Sequence, residues 1–236
     1  MGVDAMPKSG AAAVVLLSGG LDSSFNLYRA LIQNRVVLAL TFNYGQRAAL
    51  SEIGAAAKLT REAGVPHKVI DVPWFRDFTS TSLVSGAPIP SGSAIAIDDH
   101  EKSEASAKSV WVPNRNGILL NIAAGFAEGL GASLVIPGFN LEEAATFPDN
   151  SAPFLATLDA CWKFSTATGV QTHCYSTQLT KTQIVAQAKA LELPFADLWP
   201  CYLDGERWCG QCESCQRYAR ALAANGLSFE ELRGQG

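Results

Sequence analysis

The chain has 236 residues, enough for one sizeable α/β domain or for a domain with a small appended module. Apolar residues make up 48% and charged residues 17%, and no uninterrupted apolar run approaches the ~18 residues of a membrane span, which argues against a disordered chain and against a membrane protein. Lys and Arg number 18 against 22 Asp and Glu, a formal charge of −4 that argues against an extensive nucleic-acid surface and leaves room only for a local basic patch.

Met1 to Gly10 lack the layout of a signal peptide, since the apolar run that follows is short and leads straight into a glycine turn; a cytoplasmic location is expected. Residues 11–17 are apolar throughout, as in a strand buried on both faces of a parallel sheet, and residues 25–31 have helical composition. Between them runs Ser18-Gly19-Gly20-Leu21-Asp22-Ser23-Ser24. The two glycines allow dihedrals closed to other residues, and the first turn of the next helix offers unpaired N–H donors and a positive dipole end, so this corner suits a phosphate anion. It is neither a dinucleotide fingerprint, which needs G-x-G-x-x-G, nor a Walker loop, which needs Lys after its last glycine. A plain strand–turn–helix with Asp22 or Ser23 as N-cap would use the same residues.

A second buried strand is expected at 36–42, with Tyr44-Gly45-Gln46-Arg47 at its C-terminal end, where open α/β sheets place ligands. Arg47 there faces either a phosphate or a carboxylate, or is a solvated first-turn arginine. Residues 48–63 read as a helix packing through Ala49, Ile53, Ala56 and Ala57, and residues 67–72 as a third strand with His67 in a structural role. Residues 79–109, which include His100, form a long Ser/Thr/Gly/Pro-rich loop, either a lid or a surface excursion.

The stretch from Trp111 to Gly117 opens a helix carrying Ile118, Ile122 and Phe126 at helical spacing, with Asn114 or Asn116 as N-cap and Arg115 at a helix start suited to an anion. A fourth strand follows at 134–138. The loop after it, residues 140–151, carries Asn140, Glu142, Glu143, Phe147, Asp149 and Asn150, the groups needed to read a purine-like edge and stack on it, although acidic loops are often simply solvated. Beyond it come a helix at 152–168, a strand at 170–175 and a helix at 181–191 packing through Ile184, Ala188 and Leu191. Lys181 at that last helix start opposes the dipole, so it either serves an anion or is simply exposed. Met6, Cys161 and Cys174 read as packing residues.

Cys201, Cys209, Cys212 and Cys215 are spaced C-x7-C-x2-C-x2-C. Four thiolates so close would complete a tetrahedral structural zinc site with no open position; an iron–sulfur cluster could use similar ligands. A closing helix over 213–224 stops at Gly226.

The S-G-G-x-D-S loop at residues 18–23 resembles the ATP pyrophosphatases, which cleave ATP between the α and β phosphates and adenylate a substrate. Taken with T-F-x-Y-x-Q-R at 41–47, V-P-x-R-N at 112–116, Lys181 and the four cysteines, it resembles the 7-cyano-7-deazaguanine synthases of queuosine precursor synthesis. The resemblance spans nearly the whole chain in order. It implies a doubly wound, mostly parallel α/β domain over 1–198 and a zinc-binding segment with a closing helix over 199–236. It implies a ligase that turns 7-carboxy-7-deazaguanine and ammonia into the nitrile through an adenylated acid and an adenylated amide, using ATP, magnesium and structural zinc, as a homodimer. The expected ATP-binding set is Leu17, Ser18, Gly19, Gly20, Leu21, Asp22, Ser23, Ser24, Phe42, Gln46 and Arg47. Asp22, Arg115 and Lys181 are expected to be catalytic, and Arg115, Asn116, Asn140, Glu142, Phe147, Asp149 and Asn150 to contact the substrate. The loop at 138–154 departs from the commoner family pattern, with Ser151 where an arginine would stand, which keeps open a related ligase passing the same acid to another amine on a protein or RNA.

Overall fold

The computed structural model describes residues 10–92, 95 and 108–233. Five strands form one sheet, β1 (Ala12–Leu16), β2 (Arg35–Asn43), β3 (His67–Asp71), β4 (Leu134–Ile136) and β5 (Gln171–Thr172), in the order β3-β2-β1-β4-β5 with every neighbouring pair parallel. This is the doubly wound architecture expected. The order reverses between β1 and β4, and in such sheets the crevice beyond the strand ends at the reversal is where ligands bind.

The central strand shows why the sheet has two covered faces. Ala13 and Val15 of β1 point into one apolar core and Val14 into the other, the period of two that a strand imposes, and all three are fully buried. The first core is filled by α1 (Leu21–Gln33), by α6 (Lys181–Ala190) through Ile184, Val185 and Ala188, and by α7 (Glu213–Ala223) through Tyr218, Ala221 and Leu222. Cys201, Trp208, Cys212 and Cys215 sit in that same core. The second core holds α3 (Arg115–Gly129) and α5 (Ala152–Ser165), where buried Trp162 donates its indole N–H to Asn121 at 3.0 Å.

Several local expectations change. The helix α2 (Ala49–Ala63) buries Ala56, Leu59 and Thr60 rather than Ala49 and Ile53, and α3 buries Leu119, Leu120, Ala123, Ala124 and Ala127 while Ile118, Ile122 and Phe126 are only partly covered. The helix α3 is apolar around much of its circumference, so periodicity alone does not select its inner face. The strand expected at 170–175 shortens to β5, because beyond His173 the Tyr175 N–H is taken by the Asn26 side chain at 2.8 Å instead of a ladder carbonyl. The helix at 152–168 ends at Ser165, where the Thr166 hydroxyl bonds back to the Trp162 carbonyl at 2.7 Å.

The loop at 140–151 contains a one-turn helix, α4 (Leu141–Ala144), and a 3-10 turn (Pro148–Asn150), and a further short helix, α8 (Phe229–Arg233), follows the Gly226 stop. Cys161 is exposed and so is not a packing residue. Met6, His100 and residues 93, 94 and 96–107 of the supposed lid lie outside the described residues. No described helix is long and apolar enough to cross a membrane.

Candidate active site

A cavity of about 260 Å³ opens beyond the C-terminal ends of β1, β2 and β4. Its floor is the turn after β1. Gly19 has φ +77°, and a Cβ there would fall 2.7 Å from the Ala55 Cβ and 2.9 Å from the Glu52 carbonyl, so only glycine lets α2 close on the turn. Gly138 after β4 is as constrained: its Cβ would lie 2.4 Å from the Ser23 backbone. Ser18 and Ser23 fix the turn from within, their hydroxyls 3.0 Å apart, with the Ser18 N–H donating to the Ser23 Oγ at 3.1 Å. The N-cap of α1 is Gly20, in place of the expected Asp22 or Ser23, and no side chain caps this helix. Its first-turn donors and dipole therefore face the cavity available to an anion.

Lys181 enters from the first turn of α6, which a capping box of Thr180 and Gln183 starts at that point. The side chain is buried, with 5% exposure, so the exposed-lysine alternative fails. Its Nζ lies 2.9 Å from Asp22 Oδ2 and 2.8 Å from Glu143 Oε1. Burial alone would discharge the ammonium, but the two carboxylates outweigh it and hold its pKa above the usual lysine value. Burial likewise works against the Glu143 carboxylate and is overcome by Lys181, which keeps this acid ionised below the usual range. For Asp22 burial prevails and raises the acid despite Lys181. The Asp22 Oδ1 atom is buried without a hydrogen-bond partner.

Opposite, Asn114, one of the two expected candidates, is the N-cap of α3, in a left-handed conformation (φ +50°) and without a side-chain cap hydrogen bond. That sharp entry sets Arg115 and Asn116 on the cavity wall. Arg115 Nε donates to Asn116 Oδ1 at 3.3 Å and Asn116 Nδ2 donates to the Asp149 carbonyl at 3.3 Å. Burial would lower the Arg115 pKa, but the neighbouring Tyr44 and Asp149 hold the guanidinium firmly charged. Trp111 and Phe147 lie with their rings 3° from parallel and centroids 6.1 Å apart, and both line the cavity. Glu52 completes the wall from α2, with Gln46 Nε2 donating to its Oε2 at 2.8 Å. Burial pushes this acid up to about 7.

The four clustered cysteines stand at one end, where Cys201 alone of them lines the cavity. All their sulfurs lie within 4.8 Å of one another, and Cys209 and Cys215 Sγ are 3.9 Å apart, near the ~3.8 Å edge of a tetrahedron with 2.3 Å zinc–sulfur bonds. Cys201 Sγ accepts the N–H groups of Leu203 (3.4 Å) and Cys209 (3.3 Å), and Cys209 Sγ those of Gln211 (3.4 Å) and Cys212 (3.3 Å), donors that favour thiolates. The segment also grips the turn after β1, with the Trp199 N–H donating to the Gly19 carbonyl at 2.8 Å.

The family model for queuosine biosynthesis protein QueC matches residues 12–226. The chain belongs to the QueC family. It is 53% identical over 227 residues to the 7-cyano-7-deazaguanine synthase of Bdellovibrio bacteriovorus, covering 95% of this chain and 98% of that one. The 7-cyano-7-deazaguanine synthase of Desulforamulus reducens is 48% identical over 220 residues, covering 93% and 96%. Among solved structures, the NMN synthetase of Francisella tularensis superposes at TM-score 0.49 and 17% identity over 95% of this chain and 76% of that one.

In this QueC-family cavity the structure assembles Leu17, Ser18, Gly20, Leu21, Asp22, Ser23, Phe42, Arg115, Asn116, Phe147, Asp149, Asn150 and Lys181 from the expected set. Others stand behind or outside it. Ser24 is fully buried beneath the turn, and Gln46 is a scaffold, bonding the Tyr44 N–H, the Phe42 carbonyl and Glu52. Arg47 is exposed and donates to the Ala87 carbonyl at 3.1 Å, away from the cavity; its neighbour Gln46 turns inward, and adjacent residues cannot both do so here. Asn140 is buried as the N-cap of α4, accepting the Glu143 N–H at 2.9 Å. Glu142 faces α7, paired to Arg220 at 2.5 Å and Arg217 at 3.5 Å, while its next-door neighbour Glu143 takes the cavity side.

Sequence reading marked Glu143 only as one of several acidic loop residues and missed Tyr44, Glu52, Trp111, Trp199 and Tyr202 as cavity residues. Trp111 and Glu143 lay inside stretches already singled out, so their signal was position in a motif; Glu52 carried none beyond its place six residues after Gln46. Ser151, where the commoner family pattern has arginine, caps α5 by accepting the Phe154 N–H at 3.3 Å. The altered loop still delivers Phe147, Asp149 and Asn150 to the cavity.

Proposed function

We propose that the chain is an ATP-dependent carbon–nitrogen ligase that converts 7-carboxy-7-deazaguanine and ammonia to 7-cyano-7-deazaguanine through an adenylated acid and an adenylated amide. The observation that carries this reading is one cavity in which an uncapped helix start, a buried lysine held between two carboxylates and a parallel aromatic pair face one another. Adenylation needs the leaving pyrophosphate held and the developing charge on the α-phosphorus stabilised, while the acid is kept in line. The turn at Ser18, Gly19, Gly20 and Ser23 would bind pyrophosphate through its N–H groups. Lys181 and Arg115 would stabilise the charge that builds during displacement.

Trp111 and Phe147 would hold the flat deazaguanine between or against their faces, and Asp149, Asn150 and Asn116 would meet its hydrogen-bonding edge. Magnesium, when bound with the triphosphate, would neutralise phosphate charge; the unpartnered Asp22 Oδ1 fits such a cation. The sulfur tetrahedron and its N–H donors fit zinc held by Cys201, Cys209, Cys212 and Cys215, where it would staple residues 199–236 against the phosphate turn. A homodimer in the cytoplasm belongs to the same reading.

Exchange of labelled pyrophosphate into ATP tests the first step. Exchange that requires 7-carboxy-7-deazaguanine but not ammonium supports the reading, and exchange indifferent to the acid contradicts it.

A further inference from the structure

Nitrogen enters the proposed reaction as ammonia, with three hydrogens, and leaves as a nitrile with none. In the first half its lone pair attacks the carbonyl carbon of the acyl-adenylate, the C–O bond to AMP breaks with its electron pair, and one N–H proton departs. In the second half the amide oxygen displaces pyrophosphate from another ATP. The nitrogen then loses its two remaining protons as the carbon–nitrogen triple bond forms and AMP leaves. Each proton needs an acceptor at the cavity, one whose pKa stands near the working pH.

Most candidates can be set aside. Among the described residues no histidine lines the cavity; His67 bonds Thr41 at 2.8 Å and His173 packs edge-on against Tyr175. Lys181 is held charged by its two partners, Arg115 is a permanent cation, and burial moves the Tyr44 hydroxyl further above its usual range. Cys201 belongs to the sulfur cluster. Four carboxylates line the space, Asp22, Glu52, Glu143 and Asp149. Asp22 and Glu143 share Lys181, and Asp149 has Arg115 beside it with its own Oδ1 accepting from Asn150 at 3.3 Å.

Glu52 differs. The hydrogen bond it accepts comes from a neutral amide, Gln46, which itself is locked to the Phe42 carbonyl at 2.9 Å. The charged groups facing it are Arg115 from α3 and Asp204 from the cysteine segment, of opposite sign, with the Tyr44 hydroxyl also near it, and burial is the largest influence upon it. The backbone of its turn packs against Gly19, and its side chain lines the same cavity as Ser18, Gly20 and Ser23, where acyl-adenylate would form.

We infer that Glu52 is the general base that takes the protons from nitrogen in both halves of the reaction, an inference that rests on the nitrile-forming reading above.

The test is Glu52→Gln in the full-length protein, since glutamine still accepts the Gln46 N–H through its own carbonyl and the fold can be checked by thermal unfolding. Acid-dependent pyrophosphate exchange should stay within about threefold of wild type, while amide formation from ammonium and conversion of added amide to nitrile should each fall by about 10²–10⁴. Hydroxylamine, a stronger nucleophile largely unprotonated at neutral pH, should still trap the acyl-adenylate as hydroxamate. The acid limb of the wild-type amide-forming profile, near pH 7, should be absent from the residual rate. Loss of exchange in step with amide formation, unchanged amide formation, or disappearance of the acid limb in Asp149→Asn instead, would each overturn the assignment. Absence of acid-dependent exchange in the wild type would instead sink the nitrile reading itself, and the role of Glu52 with it.

Discussion

Lys181 Nζ stands 2.9 Å from Asp22 Oδ2, tying the first turn of α6 to the first turn of α1. A buried pair of this kind matters most when half of it is removed, because the survivor is left uncompensated. In Lys181→Met, Asp22 and Glu143 would face each other without a cation, and unfolding in urea should show a loss of about 3–5 kcal/mol. Asp22→Asn still offers an oxygen to Lys181 and should cost less stability than Lys181→Met, yet it should strongly reduce pyrophosphate exchange. Equal stability losses in the two variants would contradict this asymmetry.

Gly138→Ala places a Cβ 2.4 Å from the Ser23 backbone, so α1 must shift away from β4 at the base of the cavity. Overpacking of this sort costs about 1–3 kcal/mol, and here it would move the phosphate turn as well. The expected phenotype is a lowered melting temperature together with a raised KM for ATP. A variant with wild-type ATP affinity would show that the turn is not positioned by this contact.

Cys212 is 1% exposed in the core shared by α1, α6 and α7. Because metal binding at such a site is coupled to folding, Cys212→Ser should lose zinc and fold stability together. Elemental analysis of the wild type should find one zinc per chain and no iron. Because Trp199 of this segment bonds Gly19, stripping zinc with a chelator should also weaken ATP binding before the sheet unfolds.

The Glu52 carboxyl has its folded pKa raised from 4.5 to about 7. The native state then binds this proton more tightly than the unfolded chain, so the group lowers stability as pH climbs through that window and contributes nothing unfavourable below it. Glu52→Gln removes the effect. Its advantage over wild type should be small near pH 5 and should reach about 1–3 kcal/mol by about pH 8, less than the full shift implies because the group faces the cavity. A constant difference between these pH values would refute the raised pKa.

The strands and the glycine turn after β1 were legible because they carry local signals: a fully apolar run for β1 and a paired glycine corner after it. The buried face of α3 was not, since a helix apolar on most sides gives no moment to read. Within the acidic loop, composition marked Glu142 and Glu143 alike, and only the cap at Asn140 decides that Glu143 turns to Lys181 while Glu142 turns to Arg217 and Arg220. Arg47 and Gln46 show the same limit, one residue deciding inside from outside. Glu52 was illegible for a different reason: its chemistry comes from burial in the cavity wall beside Gln46, an environment made by the fold and absent from any motif.

Mass spectrometry of the products from 7-carboxy-7-deazaguanine, ATP and ammonium, with AMP counted in the same mixture, tests the proposed conversion most directly. The expected result is the nitrile, with two AMP released for each one formed from the acid and one AMP for each formed from added amide. Adenylation of the acid with neither amide nor nitrile accumulating, unless a protein or RNA is supplied as acceptor, would contradict it.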